Sequence, residues 1–322
     1  MRLFLAPLAD FTDAPFRRMC AEGGADLAYT EMTSAAALFH GHAGTRLLME
    51  TMPGEGPVAC QFFGADEREL AFAAKLAEEA KERFVEVNLN AGCPMPKIME
   101  TGSGATLAGD PAKVFRLLKA MKENTSLPIT LKTRLGLHRA SPTIFELLDA
   151  AESAGAAGII VHARSAGQKH GGAVNLELLA ETVARAKIPV CGNGSVVSRE
   201  TLDAMAATGV SAIMIGRAAL ANPQIFAELK GEAAPEERPS GREFAERHLD
   251  YILQFRALLA EGRPEMPQPS LDAIASIKMH LHLFRYFAGL PGAAKMRRSL
   301  DRVRTLAQVR EILSSADRSF ET

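Results

Sequence analysis

Eight short apolar runs, each followed by a segment suited to helix, constrain this chain more than any other feature. They are Arg2–Ala9, Asp26–Met32, Pro57–Gly64, Phe84–Ala91, Pro128–Gly136, Gly158–Ser165, Ile188–Val196 and Ala212–Leu220. They recur about every 25–30 residues, the length of one strand plus a crossover helix and two loops. The intervening segments carry helix signals. Asp66 precedes a long Ala/Leu/Lys/Glu run to Lys81, Asp110-Pro111 reads as an N-cap with a first-turn proline, and Ser198 precedes Arg199-Glu200. Ser141-Pro142 repeats the device ahead of Thr143–Ala154, and Gly155, Gly209 and the pair Gly23-Gly24 stand where helix C-caps are expected. Alternating β and α units with continuously apolar strands predict an α/β fold, a (β/α)8 TIM barrel. A doubly wound open sheet would place a Gly-x-Gly-x-x-Gly after the first strand. Ala9-Asp10-Phe11-Thr12-Asp13-Ala14-Pro15 stands there instead.

The pattern changes after the eighth unit. Pro235, Pro239, Ser240 and three glutamates between Gly231 and Gly241 read as a linker. The expected partition is a catalytic barrel over 1–231, a linker over 232–241 and an all-helical domain over 242–322. Helices are expected at Arg242–Glu261, Leu271–Leu290 and Ala293–Ser314, the second with an apolar stripe of Ile274, Ile277, Leu281, Phe284 and Phe287.

Composition excludes some classes. Hydrophobic residues at 47% and charged residues at 23% suit a soluble globular protein. No apolar run approaches the roughly 20 residues that span a bilayer, and the chain opens on a strand-like run, not a secretory leader. A cytoplasmic location without membrane association is expected, and a monomer. Cys20, Cys60, Cys93 and Cys191 form no Cys-x-x-Cys pair, and His280 and His282 have no carboxylate or cysteine near them in sequence. Neither a disulfide framework nor a metal site is expected. Net charge is −1, yet Lys278, Arg285, Lys295, Arg297, Arg298, Arg302 and Arg304 face only Asp301 within their stretch, a local excess of +6.

Polar residues mark the strand ends. Strand four runs into Asn88-Leu89-Asn90-Ala91-Gly92-Cys93-Pro94, where Gly92 and Pro94 stop the strand and leave a thiol behind two amides. Gln61, Lys132, Arg134, His162, Arg164, Asn193 and Arg217 occupy corresponding positions on other strands. In a parallel barrel, active sites are built at that carboxyl end. A lone His162 or Lys132 would read as a core or snorkelling side chain; polar groups at most strand ends read as the lining of one ligand site.

Two glycine turns add a ligand type. Gly192-Asn193-Gly194-Ser195 closes strand seven and Gly216-Arg217 closes strand eight, the pair of loops where barrels often bind a phosphate. Arg217 adds a bidentate donor. With Lys132, Gln61 and His162 at the mouth, the arrangement suits FMN; a sugar phosphate would fit the same turns.

The chain resembles the tRNA-dihydrouridine synthases. The resemblance rests on Ala6-Pro7-Leu8-Ala9 with Thr12-Asp13, the Gln61 strand, Asn90-Ala91-Gly92-Cys93-Pro94 and Gly102-Ser103-Gly104-Ala105. It continues through Lys132-Thr133-Arg134-Leu135-Gly136, Val161-His162-Ala163-Arg164, Pro189-Val190-Cys191-Gly192-Asn193-Gly194, Ile215-Gly216-Arg217 and, in the helical part, His282 and Gly289-Leu290-Pro291-Gly292. It implies a flavin-dependent reduction of uridine in tRNA, with NAD(P)H recharging FMN. It also implies FMN contacts from Pro7, Leu8, Ala9, Gln61, Lys132, His162, Asn193, Gly194, Gly216 and Arg217. Cys93 would be the proton donor and Asn90 would orient the uracil. The family often has Asp where Asn88 stands and an acidic residue where Ser195 stands.

Chemistry supplies a reason for these roles. Saturating the uracil 5,6 double bond adds hydride at C6 and a proton at C5, and a thiol of reference pKa about 8.5 is largely protonated at neutral pH. An amide from Asn90, with Arg134 as a second candidate, would hold the uracil edge and its developing charge. The base must leave its stack to enter a barrel mouth. Affinity for tRNA would come from phosphate contacts in the basic run, for which Lys278, Arg285, Arg297 and Arg298 are the candidates. Two other readings use the same residues: an FMN barrel reducing a free pyrimidine or small enone, and an RNA-binding protein with a vestigial flavin site.

Overall fold

The computed structural model describes residues 1–262, 279, 281–287 and 305–320, the side chains of Ala43 and of 314–320 excepted. Its strands are β1 (Arg2–Leu5), β2 (Leu27–Tyr29), β3 (Thr33–Ser34), β4 (Val58–Phe63), β5 (Glu86–Ala91), β6 (Ile129–Arg134), β7 (Gly158–His162), β8 (Val190–Asn193) and β9 (Ala212–Ile215). All pairings are parallel. The sheet closes because β1 pairs with both β9 and β2 while β2 pairs with β4, which leaves the two-residue β3 as an appendage on β4. Eight strands therefore form a TIM barrel, one in each of the eight apolar runs.

Side chains alternate across a strand with period two, so register decides what faces the barrel interior. Gln61 is level with Asn88, Asn90 with Lys132, Arg134 with His162, and His162 with Asn193. Two residues earlier on the same faces lie Ala59, Ile160 and Cys191, which pack with Phe4, Leu27, Tyr29 and Met214 into an apolar plug. The interior is thus mostly apolar at the amino ends of the strands, Glu86 and Thr130 excepted, and polar at their carboxyl ends. Intervening residues such as Phe62, Leu89, Leu131, Val161 and Ile213 are fully buried on the strands' opposite faces.

The helix punctuation works through side-chain caps. Asp66 accepts from the N–H groups of Arg68 and Glu69 ahead of helix Glu67–Glu78, and Asp110 accepts from Lys113 ahead of Pro111–Lys122. Ser198 and Thr201 form a reciprocal capping box at Arg199–Ala206. Ser141-Pro142 does not start its helix as expected: Thr143 is the N-cap of Ile144–Ser153, and its hydroxyl donates to the Ala108 carbonyl.

Compactness divides the chain into two units. The first comprises Met1–Leu8, Ala25–Thr51 and Gly56–Gly216; the second comprises Ala9–Gly24, Met52–Glu55 and Arg217–Thr322. Two early segments thus group with the residues that follow Gly216. An ion pair ties them: Arg17, 1% exposed, donates through Nε to Glu55 at 2.5 Å and through Nη1 to the Thr12 carbonyl at 2.7 Å. Burial raises the Glu55 carboxyl from its usual range, while Arg17 opposes that shift. The apolar core of this unit gathers Met19, Phe244, Leu249, Leu283, Phe287 and Val309. Its described helices are Ala14–Glu22, Arg217–Ala221, Ile225–Lys230, Gly241–Gly262 and Leu306–Phe320, with residues 281–286 also helical. The buried stripe there is Met279, Leu283, Tyr286 and Phe287, with Leu281 and Phe284 only partly buried. Ile274, Ile277, the expected helix start at Leu271 and the expected boundary at Ala293 lie outside the described residues. Among those described, no helix is long and apolar enough to cross a membrane.

Candidate active site

Cys93 leaves β5 partly exposed, whereas Cys20, Cys60 and Cys191 are buried. Its loop is held from two sides. Asn90 Oδ1 accepts the N–H groups of Gly92 at 3.1 Å and Cys93 at 3.0 Å, and the Cys93 carbonyl accepts the Ala105 N–H at 2.8 Å. Gly104, at φ +58°, lies so close that a Cβ there would stand 2.7 Å from the Cys93 carbonyl oxygen. Arg134 adds a clamp, its Nε donating to the Gly92 carbonyl at 2.6 Å and its Nη1 to the carbonyls of Ser165 and Lys169 at 3.1 and 2.7 Å. Those bonds commit the guanidinium to loop geometry.

The amides that flank the thiol are linked. Asn90 Nδ2 donates to Gln61 Oε1 at 2.9 Å, and Gln61 Nε2 donates to Asn88 Oδ1 at 2.7 Å. Gln61 and Asn88 are fully buried, and Asn90 is 7% exposed.

Across the interior, Lys132 Nζ donates to Asn193 Oδ1 at 3.3 Å, while Asn193 Nδ2 donates to the Met214 carbonyl at 2.8 Å. Burial, with Arg134 adding repulsion, brings the Lys132 ammonium down to about 8. Arg134 is brought down to about 10, chiefly by burial. Burial and the same cations hold His162 far below the ordinary imidazole range, so it is neutral at physiological pH. Its Nε2 lies 3.3 Å from Arg164 Nη1; Arg164 donates further to the Gly171 and Gly172 carbonyls and, at 2.7 Å, to Ser195 Oγ. A neutral hydroxyl on a backbone at φ +57° thus receives Arg164.

The glycine turns lie beside these groups. Gly194 has φ +128°, and a Cβ there would meet His162 Cδ2 at 2.9 Å. Gly216 faces Ala6 and Leu8, with room for ordinary contact at 3.5 and 3.6 Å. Pro7 and Leu8 follow β1 half-buried. Ala9 and Arg217, both exposed, belong to the second unit, each one residue beyond a residue of the first. Arg285 is exposed, its guanidinium 5.6 Å from the Phe11 ring centre. Lys278, Arg297 and Arg298 lie outside the described residues.

Two groupings are not legible in the sequence. Asp13, His248 and His282 converge in the second unit, their candidate ligand atoms within 4.8 Å of one another. His282 Nε2 lies 3.1 Å from the Phe11 carbonyl, His248 Nδ1 lies 2.9 Å from the Tyr286 hydroxyl, and the two imidazoles pack edge to face at 4.3 Å. Only the tertiary fold joins residues so distant in sequence. The other is a cavity of about 340 Å³ lined by His138, Arg139, Ser165, Gln168 and Asn175 among others, in the loops that follow β6 and β7.

The sequence pattern of the dihydrouridine synthase family matches residues 4–321. The chain belongs to this family. A probable tRNA-dihydrouridine synthase of Rhodobacter capsulatus is 32% identical over 98% of this chain and 95% of its own length. The tRNA-dihydrouridine synthase B of Xanthomonas axonopodis pv. citri is 35% identical over 71% of this chain and 68% of its own. Among solved structures, morphinone reductase in complex with tetrahydroNAD superposes with a TM-score of 0.52 at 14% identity, covering 72% of this chain and 87% of that one. That likeness is one of fold. As a dihydrouridine synthase the protein is an oxidoreductase.

Proposed function

We propose that this dihydrouridine synthase reduces uridine within tRNA, using FMN as bound hydride carrier and NAD(P)H to recharge it. Relatives aligned over most of the chain are named for tRNA. The observation that carries the cofactor reading is Lys132. It is a desolvated cation inside the barrel, repelled by Arg134 and bonded to a neutral amide, a setting that an anionic ligand would relieve. Gly194, pressed against His162, adds a backbone approach that a side chain would fill.

Pro7, Leu8, Gln61, Lys132, His162, Asn193, Gly194 and Gly216 would hold FMN, with Ala9 and Arg217 as their neighbours in sequence. Bound FMN supplies the hydride for uracil C6. The protein's own part is positional and protic. Neutral His162 offers hydrogen bonding without adding charge, and Lys132 supplies the positive one. Asn90, fixed by Gln61, orients the uracil edge, and the Cys93 thiol delivers the proton to C5. Arg134 keeps the thiol's loop in place through Gly92. Arg285 with Lys278, Arg297 and Arg298 would meet tRNA phosphates.

The test is Cys93→Ala. Flavin content should match wild type while dihydrouridine formation on tRNA falls by about 10²–10⁴-fold, the range for a lost general acid. Undiminished formation would refute the role of the thiol.

A further inference from the structure

One carboxylate sits where the barrel interior is mostly apolar. Glu86 opens β5 on its inward face, level with Ala59. Its Oε1 accepts the Tyr29 hydroxyl at 2.6 Å and the Thr130 hydroxyl at 2.8 Å. Thr130 in turn accepts Asn88 Nδ2 at 2.7 Å, and from Asn88 the chain continues through Gln61 and Asn90 to the Gly92 and Cys93 N–H groups. Five residues, Glu86, Thr130, Asn88, Gln61 and Asn90, thus join the amino end of the strand to the thiol loop, with a hydrogen bond at every step.

The direction of each bond is forced from both ends. Backbone N–H groups can only donate, so Asn90 must turn Oδ1 toward the loop and Nδ2 toward Gln61. Gln61 must then offer Oε1 to Asn90 and Nε2 to Asn88. Asn88 must offer Oδ1 to Gln61 and Nδ2 to Thr130. Burial raises the Glu86 carboxyl and the bonds from Tyr29 and Thr130 oppose that shift. From this end Glu86 Oε1 accepts, so Thr130 spends its single proton on Glu86 and has only lone pairs left for Asn88. The two deductions meet without conflict. Turning any one amide over would set donor against donor on one side and acceptor against acceptor on the other, in a place closed to water.

We propose that Glu86, Thr130 and Asn88 are positioning residues: by fixing the polarity of the Gln61 and Asn90 amides, they lock the Cys93 loop and decide which groups those amides show to flavin and uracil. The statement about flavin and uracil rests on the proposed site; the locking of the loop does not. A purely structural role for Thr130 would be met by any side chain of its shape.

Thr130→Val keeps the shape and removes both the acceptor for Asn88 and the donor to Glu86; Thr130→Ser keeps the hydroxyl. Two readouts are taken on the purified, flavin-loaded protein: the rate of Cys93 alkylation by iodoacetamide without tRNA, and kcat and KM for tRNA reduction. Cys93 is the accessible thiol, the other three being buried. In Thr130→Val, alkylation should quicken by about threefold as the loop opens more often. There kcat should drop about tenfold with KM nearly constant, as for a mis-set reacting group, and Thr130→Ser should restore both. Should Thr130→Val fail to fold, Asn88→Leu interrupts the same chain and is read the same way. Wild-type alkylation and turnover in the folded variants would overturn the proposal. Faster alkylation in Thr130→Val combined with full turnover in Cys93→Ala would retain the lock and discard the proposed role of the thiol.

Discussion

Lys132 is the residue whose protonation reports on the site. Its pKa, depressed to about 8 by burial and by Arg134, lies below the unfolded value of about 10.4. Between those values the unfolded chain binds more protons, so deprotonating Lys132 adds stability as pH rises through that window. The gain is lost again as pH falls through 8. An anionic ligand reverses the balance by stabilising the charged ammonium. Binding of FMN to flavin-free protein should therefore take up protons between about pH 8 and 10, and affinity should weaken as pH rises there. Calorimetric titration in buffers of different ionisation enthalpy measures the uptake, and Lys132→Met should abolish it. Proton release on binding, or uptake that survives in Lys132→Met, would mean that the ammonium does not meet the ligand.

At the scale of elements, the loop between β5 and helix Pro111–Lys122 is built around one close approach. A methyl group on Gly104 would lie 2.7 Å from the Cys93 carbonyl oxygen and 2.8 Å from Ile98, on a backbone at φ +58° that disfavours any side chain. Gly104→Ala should displace the thiol by a fraction of an ångström to about one ångström, a shift that costs up to about a hundredfold in rate. Flavin binding should be unaffected, since none of the residues assigned to it adjoins Gly104; tRNA reduction and flavin absorbance on the same sample separate the two. The loop's glycines are visible in the sequence, as are the eight strands, because fully buried parallel strands appear as unbroken apolar runs and caps are local. Ser141-Pro142 misleads because the helix begins two residues later, with Thr143 at the N-cap and its hydroxyl spent on the Ala108 carbonyl. Glu86 looks like the mouth of a strand; its inward placement depends on register with Ala59 and on its bonds to Tyr29 and Thr130, which no local pattern encodes. The same holds for Arg17 with Glu55, a pairing that ties two early segments of the second unit to each other.

For the whole molecule, the question is how a chain of net charge −1 would hold a polyanion as large as tRNA. Average charge governs solubility, whereas binding follows local charge, because each neutralised phosphate releases counterions whatever the rest of the surface carries. The excess of +6 between Lys278 and Arg304 supplies that local field. Arg285 is its exposed and described member, its guanidinium 5.6 Å from the Phe11 ring centre. If it meets a phosphate, Arg285→Ala should lower the slope of log affinity against log salt by about 0.7–0.9, one contact's worth. Affinity should weaken similarly for unrelated tRNAs, since phosphate contacts carry no sequence information. Arg297→Glu with Arg298→Glu should flatten the slope further. Filter binding over a series of KCl concentrations reads these slopes. Flavin content and the rate of flavin reduction by NADPH should stay at wild-type values, because neither depends on RNA. A slope unchanged in both variants would move the tRNA surface away from the basic run, and the helical part would then need another reason for its charge.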